Sequence, residues 1–157
     1  MAAWIRRHWI ACTVVFAVYG IGQHGLFVNW SDSLPYRLVW LDYQAIPVQG
    51  DLMVYRFAGQ PFQREELQGL RLFKRVTGMP GDSITVADRV VRVAGRSIGL
   101  AKKFTRQGEA LTPIAAGRIP DGYLFAHSDS VDSFDSRYTE CGLVAVDQVL
   151  GVAHVLF

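Results

Sequence analysis

Lys74 lies in Leu70-Arg71-Leu72-Phe73-Lys74-Arg75-Val76, a run that alternates with the period of a β-strand. Side chains two apart share a face, so Leu70, Leu72, Lys74 and Val76 point one way and Arg71, Phe73 and Arg75 the other. A lysine on the apolar face of a buried strand loses hydration, which disfavours the ammonium and lowers its pKa. A neutral amine is a general base, and a serine hydroxyl is what it would activate. Only three of the 16 basic residues are lysines. The others are arginines, which stay charged and cannot do this job. The alternation alone favours a plainer role, a lysine that snorkels to the surface or pairs with a carboxylate.

Four turn-rich islands hold most of the small polar residues: Ser31-Asp32-Ser33-Leu34-Pro35, Gly50-Asp51, Lys74-Arg75 with Gly78-Met79-Pro80-Gly81-Asp82, and Ser128 through Arg137. Each alone is weak. Gly-Asp pairs are ordinary turns, and Asp51 and Asp82 are assigned to turns with no catalytic part. Ser33 by itself reads as a loop or helix-end serine, and Ser31 as a plain loop hydroxyl. Ser133 and Asp135 fit turn capping as well as they fit a site. His24 and His154 read as incidental. His127 differs, because Ser33, His127 and Asp135 would make a charge-oriented triad, an alternative to a Ser33–Lys74 pair. Cys12 and Cys141 stand far apart without clustered histidines, so neither a zinc site nor any other metal or cofactor is expected.

The elements that must position these residues follow from size and pattern. A chain of 157 residues with formal charge +2 is one domain plus an appendage. It has no basic patch with interleaved aromatics, so nucleic acid is not an expected partner. Residues 9–22 carry no charge, and after Gln23-His24 the apolar run resumes through Val28. Counted to Val28 the run has about the 20 residues that span a bilayer; counted only to Gly22 it is short, closer to a signal-peptide core or a buried helix. The expected organisation is therefore a cytoplasmic segment 1–8, a transmembrane anchor 9–28 and a domain 29–157 across the membrane, which the resemblance described below makes periplasmic. Arg6 and Arg7 ahead of the run place the N-terminus in the cytoplasm. A cleaved signal is the rival, but no Ala-x-Ala-like site follows the run. A disulfide is not expected, because Cys12 lies inside the apolar run.

Beyond the anchor the sequence predicts short strands at Leu38–Leu41, Leu52–Phe57, Leu70–Val76, Tyr123–Ala126 and Val149–Val155. It also predicts a hairpin of Ser83–Val86 with Arg89–Val93 about Ala87-Asp88, a short strand at Arg96–Leu100 and a helical turn or two at Gln63–Gly69. Residues 101–120 read as irregular. The sum is a compact, mostly β fold with long connections.

The four islands, in this order, resemble one family, the type I signal peptidases, which are membrane-anchored serine peptidases with a serine–lysine dyad. Lys74 to Asp82 is the most specific piece and Ser133-Phe134-Asp135-Ser136-Arg137-Tyr138 the second. Only Leu34 separates Ser33 from Pro35, where the housekeeping enzymes have two residues. Together with the small size, this looks more like the conjugative-transfer, TraF-type branch. The resemblance implies a signal-peptidase-like β fold with one N-terminal transmembrane helix in a bacterial inner membrane. It implies Ser33 as nucleophile, Lys74 as base, Ser31 and the Ser33 N–H as oxyanion donors, Ser133 orienting the lysine, and Asp135 holding Arg137 or supporting the dyad from behind. Its substrates would be exported preproteins or pilin precursors beside membrane lipid, with the conjugation machinery as a further partner. Hydrolysis and pilin-cyclising transpeptidation share the same acyl-enzyme, and a non-catalytic envelope assembly factor is the rival of another class. An extended substrate would add as a strand beside Leu52–Phe57.

Overall fold

The structure, a computed structural model, describes residues 24–29, 34–58 and 67–157. Among these residues the regular secondary structure is almost wholly β. Seven antiparallel strands form one sheet in the order β1 (His24–Val28), β2 (Leu38–Asp42), β11 (Val149–Val155), β3 (Leu52–Arg56), β4 (Arg71–Gly78), β9 (Tyr123–His127) and β10 (Val144–Ala145). A second sheet has four strands in the order β7 (Arg96–Leu100), β6 (Val90–Val93), β5 (Ser83–Ala87) and β8 (Gly117–Arg118).

The strands at the centre of the large sheet are buried on both faces, because each face meets its own cluster. Met53, Tyr55, Val76, Leu124, Ala126 and Val144 pack on one side, and Leu34, Val39, Leu41, Leu52, Val54 and Phe73 on the other. β3 therefore reads Leu-Met-Val-Tyr with all four buried and only Arg56 at its end exposed, as a strand inside a two-sided core must. β4 follows the parity expected of it. Phe73 joins one cluster, while Leu72 and Val76 join the other, with Lys74 between them and paired across the ladder with Met53. A third cluster, built on Ile84, Val91, Val93, Ile119, Phe125 and Tyr138, joins the two sheets.

Gly78 stands where β4 leaves the large sheet. A Cβ there would meet Val93 Cγ1 at 2.6 Å and Ile119 Cδ1 at 2.7 Å, so this crossing has no room for a side chain. The Pro80-Gly81 turn follows, with Gly81 at φ 89° and the Asp82 carboxylate accepting the Met79 N–H at 2.9 Å. The expected hairpin is present as β5 and β6, turned on Asp88 and Arg89, both left-handed at φ 48° and 63°, as a two-residue hairpin turn requires.

Two expectations are corrected. The span assigned to the anchor ran to Val28, but His24–Val28 is strand β1, paired residue for residue with β2. An extended segment whose N–H and C=O groups bond a neighbouring strand is not the end of a helix. The rest of the run, residues 9–23, lies outside the described residues, as do the cytoplasmic segment 1–8 and most of the helical turn expected at Gln63–Gly69. Among the described residues no helix is long and apolar enough to cross a membrane. The second correction concerns substrate addition beside Leu52–Phe57. β3 is bonded to β11 on one edge and β4 on the other, so Leu52–Arg56 has no free edge to accept a peptide.

Candidate active site

β4 carries Lys74 inward and the loop after β9 brings Ser133, Asp135 and Arg137 to meet it. Lys74 is 4% exposed. Its Nζ donates to Ser133 Oγ at 2.8 Å. Among the described residues no carboxylate lies within ion-pair distance of that amine, and its head group does not reach the surface. The snorkelling and ion-pair roles therefore do not apply to it within those residues.

Asp135 is fully buried and committed elsewhere. Its Oδ1 accepts Arg137 Nε at 2.8 Å and its Oδ2 accepts Arg137 Nη2 at 3.0 Å. It also takes the backbone N–H groups of Arg137 and Ser128 at 3.2 and 3.4 Å. Asp135 thus caps its own turn and neutralises the buried arginine. Arg137 in turn donates Nη2 to the carbonyls of Ser130 and Ser133, both at 3.1 Å. Nη1 also donates to the Leu100 carbonyl at 3.3 Å, and these five acceptors around one guanidinium fix the turn that presents the Ser133 hydroxyl.

Burial pushes the Lys74 amine below the ordinary lysine value. Asp135 pulls it back, and Arg137 adds to the depression. Desolvation wins because the nearest negative charge is already balanced by Arg137. Cys141, a free buried thiol beside Tyr55, is pushed up to about 12 by burial and stays protonated. A cleft of about 350 Å³ leads to Lys74 and Ser133, walled by Leu72, Phe104, Leu111 and Phe134 among others.

His127 is buried on β9 opposite Arg75, and burial lowers its pKa. No hydrogen bond joins it to Asp135 among the described residues, and the Asp135 oxygens are spent on Arg137 and backbone. The expected residues Ser31 and Ser33 lie outside the described residues, and the chain reappears at Leu34, whose side chain is buried against Val39 and Phe73. Of the expected site, the structure brings together Lys74, Ser133 and Asp135. Sequence reasoning gave no part to Lys102, Arg106 and Asp132, which line the same cleft. They sit in segments without periodicity, where no local signal marks a contact across 26 to 30 residues.

Comparison with known proteins agrees with the motifs. The profile of the family described as signal peptidase, peptidase S26, matches residues 1–157. The conjugal transfer protein TraF of Agrobacterium fabrum strain C58 is 35% identical over 151 residues, covering 85% of this chain and 82% of that one. The protein of the same name from Agrobacterium tumefaciens strain 15955 is 33% identical over 88 residues, 55% of this chain and 48% of its own length. A crystal structure of a signal peptidase I from Enterococcus faecalis V583 aligns with TM-score 0.41 and 22% identity over 68% of this chain and 95% of that one. Matched end to end by that profile, and related along most of its length to a conjugal transfer protein, the chain belongs to the signal peptidase family, peptidase S26.

Proposed function

We propose that this chain is a membrane-anchored serine endopeptidase that removes leader peptides from exported, pilin-like precursors in conjugative transfer. Ser33 Oγ attacks the scissile carbonyl while Lys74 Nζ takes its proton. The Ser33 N–H and the Ser31 hydroxyl hold the oxyanion; losing one such donor costs on the order of 100- to 1,000-fold in rate. Lys74 passes the proton to the departing amine, leaving the acyl group on Ser33. It then takes a proton from the incoming water, which releases the acid and restores the serine. Ser133 orients the amine, and Arg137 with Asp135 holds the Ser133 turn. An apolar segment ahead of β1 anchors the chain in the inner membrane, with Arg6 and Arg7 on the cytoplasmic side and the β domain in the periplasm. The relative from A. fabrum, by its name a conjugal transfer protein, supports the conjugative setting.

The observation that carries this reading is the buried Lys74 amine, hydrogen-bonded to a serine hydroxyl and without a described carboxylate of its own. The test is processing of a co-expressed pilin precursor by Ser33→Ala and Lys74→Met chains. Lys74→Met nearly keeps the volume but accepts no proton. Loss of the mature product in both is expected, and normal processing by Lys74→Met sinks the dyad and leaves the assembly-factor alternative. The mass of the product reports its fate, since a ring is lighter than the free acid by one water.

A further inference from the structure

Residues 101–111 form a strap across the cleft. Its base is fixed by Arg89, which donates Nε to the Ala101 carbonyl and Nη2 to the Leu111 carbonyl, both at 2.7 Å. Its flank is tied by the Lys102 N–H to the Tyr138 hydroxyl at 3.2 Å. Two strap cations then converge on one carboxylate. Lys102 Nζ bonds Asp132 Oδ1, and Arg106 bonds Asp132 Oδ2 through Nη2 at 2.6 Å and Nε at 3.2 Å. Asp132 immediately precedes Ser133, and the Ser133 N–H closes their turn on the Ser130 carbonyl at 3.1 Å. The turn that meets Lys74 is therefore held from inside by Arg137 and from outside by the strap.

We propose that Asp132, gripped by Lys102 and Arg106, is a positioning residue that seats the Ser133 hydroxyl on the Lys74 amine and keeps the strap over that amine. An isolated exposed ion pair contributes little, but a carboxylate shared by two cations on a strap fixed at its base is a network. The two cations hold the Asp132 carboxyl down at about 2, so Asp132 is ionised throughout the pH range in which Lys74 titrates. Releasing it frees the outer side of the Ser133 turn and lets water into the cleft. Both changes ease protonation of Lys74. This inference rests on the proposed role of Lys74 as base.

The test needs no substrate. Lys74, Lys102 and Lys103 are the only lysines in the chain, so the full chain labelled with [13C]lysine in detergent gives three side-chain signals, assigned with Lys74→Met and Lys102→Met. Among the described residues the groups facing Lys74 are Ser133, Asp135, Arg137, Cys141 and His127, and these, like Ser33, are left in place. Asp132→Asn is expected to raise the Lys74 midpoint by at least about half a pH unit. Lys102→Met with Arg106→Gln should match that shift, and adding Asp132→Asn to the pair should move it no further. Asp132→Glu should restore most of the wild-type value. Salt at 1 M, where charges are screened beyond about 3 Å, should shift the wild type toward the Asp132→Asn value and leave that variant where it is. A Lys74 midpoint that lies below the ordinary lysine value but ignores every strap variant overturns the positioning role alone. A wild-type midpoint at the ordinary value overturns the base reading and this inference with it.

Discussion

A buried amine with no carboxylate in ion-pair reach among the described residues makes Lys74 a thermodynamic weak point, and that gives a test independent of catalysis. Its folded pKa lies below the ordinary lysine value of 10.5. Between the two values the unfolded chain holds a proton that the folded chain has released. Stability therefore rises with pH across that window, and the full penalty applies below it. Lys74→Met removes the titration. It is expected to melt above wild type at neutral pH, with the advantage shrinking as pH approaches 10.5, while processing falls at least about 100-fold. Thermal melts over a pH series check the first half; an advantage that does not change with pH would show that Lys74 folds uncharged nowhere in the range. Processing by wild type should climb with pH through the same lowered midpoint. His127→Ala should keep most of its processing, because Asp135 is already spent on Arg137. Loss of processing in that variant, with Lys74→Met still active, would restore the triad.

The strands were readable in advance because each is a short run of alternating or continuous apolar residues closed by Gly, Pro or Asp. Val149–Val155 is found with the bounds expected for it, and the Lys74 strand is displaced by only a residue or two. What sits beside each strand was not readable. β11 comes last in the chain yet lies between β2 and β3, and no local pattern encodes a partner about a hundred residues away. That is why β3 was expected to offer an edge. The anchor boundary failed for a related reason. Gly25-Leu26-Phe27-Val28 is as apolar as the run before it, and composition does not separate a spanning segment from a strand that pairs with its neighbour. Gly78 was legible as part of a motif, but its cause is a crossing between two sheets. Gly78→Ala forces a Cβ toward Val93, Ile119 and the Phe125 Cβ at 3.0 Å. Overpacking of this kind costs about 1–3 kcal/mol, so the melting temperature should drop by several degrees. An unchanged melt would mean that the two sheets part easily at this point.

At the scale of the whole molecule, the last residues brace the segment that leads out of the Ser33 island. The Phe157 carbonyl accepts the N–H groups of Arg37 and Leu38, each at 2.8 Å, and the Leu38 carbonyl accepts those of Leu156 and Phe157 at 2.9 and 3.1 Å. On the other side Asn29 Nδ2 donates to the Tyr36 carbonyl at 2.9 Å. The stretch 34–38 is thus gripped between β1 and the end of β11. Because β11 also separates β2 from β3, stopping the chain at Asp147 removes the joint between the two parts of the large sheet, and no folded domain is expected. Deleting only Leu156 and Phe157, whose side chains are exposed, leaves every strand intact and takes away the brace. The core should then survive, with a small drop in melting temperature, while processing through Ser33 falls more steeply than stability does. Melting and processing measured on the same truncated chain separate the two effects. Equal losses in both would mean that the terminal residues serve the fold alone and do nothing particular for the serine.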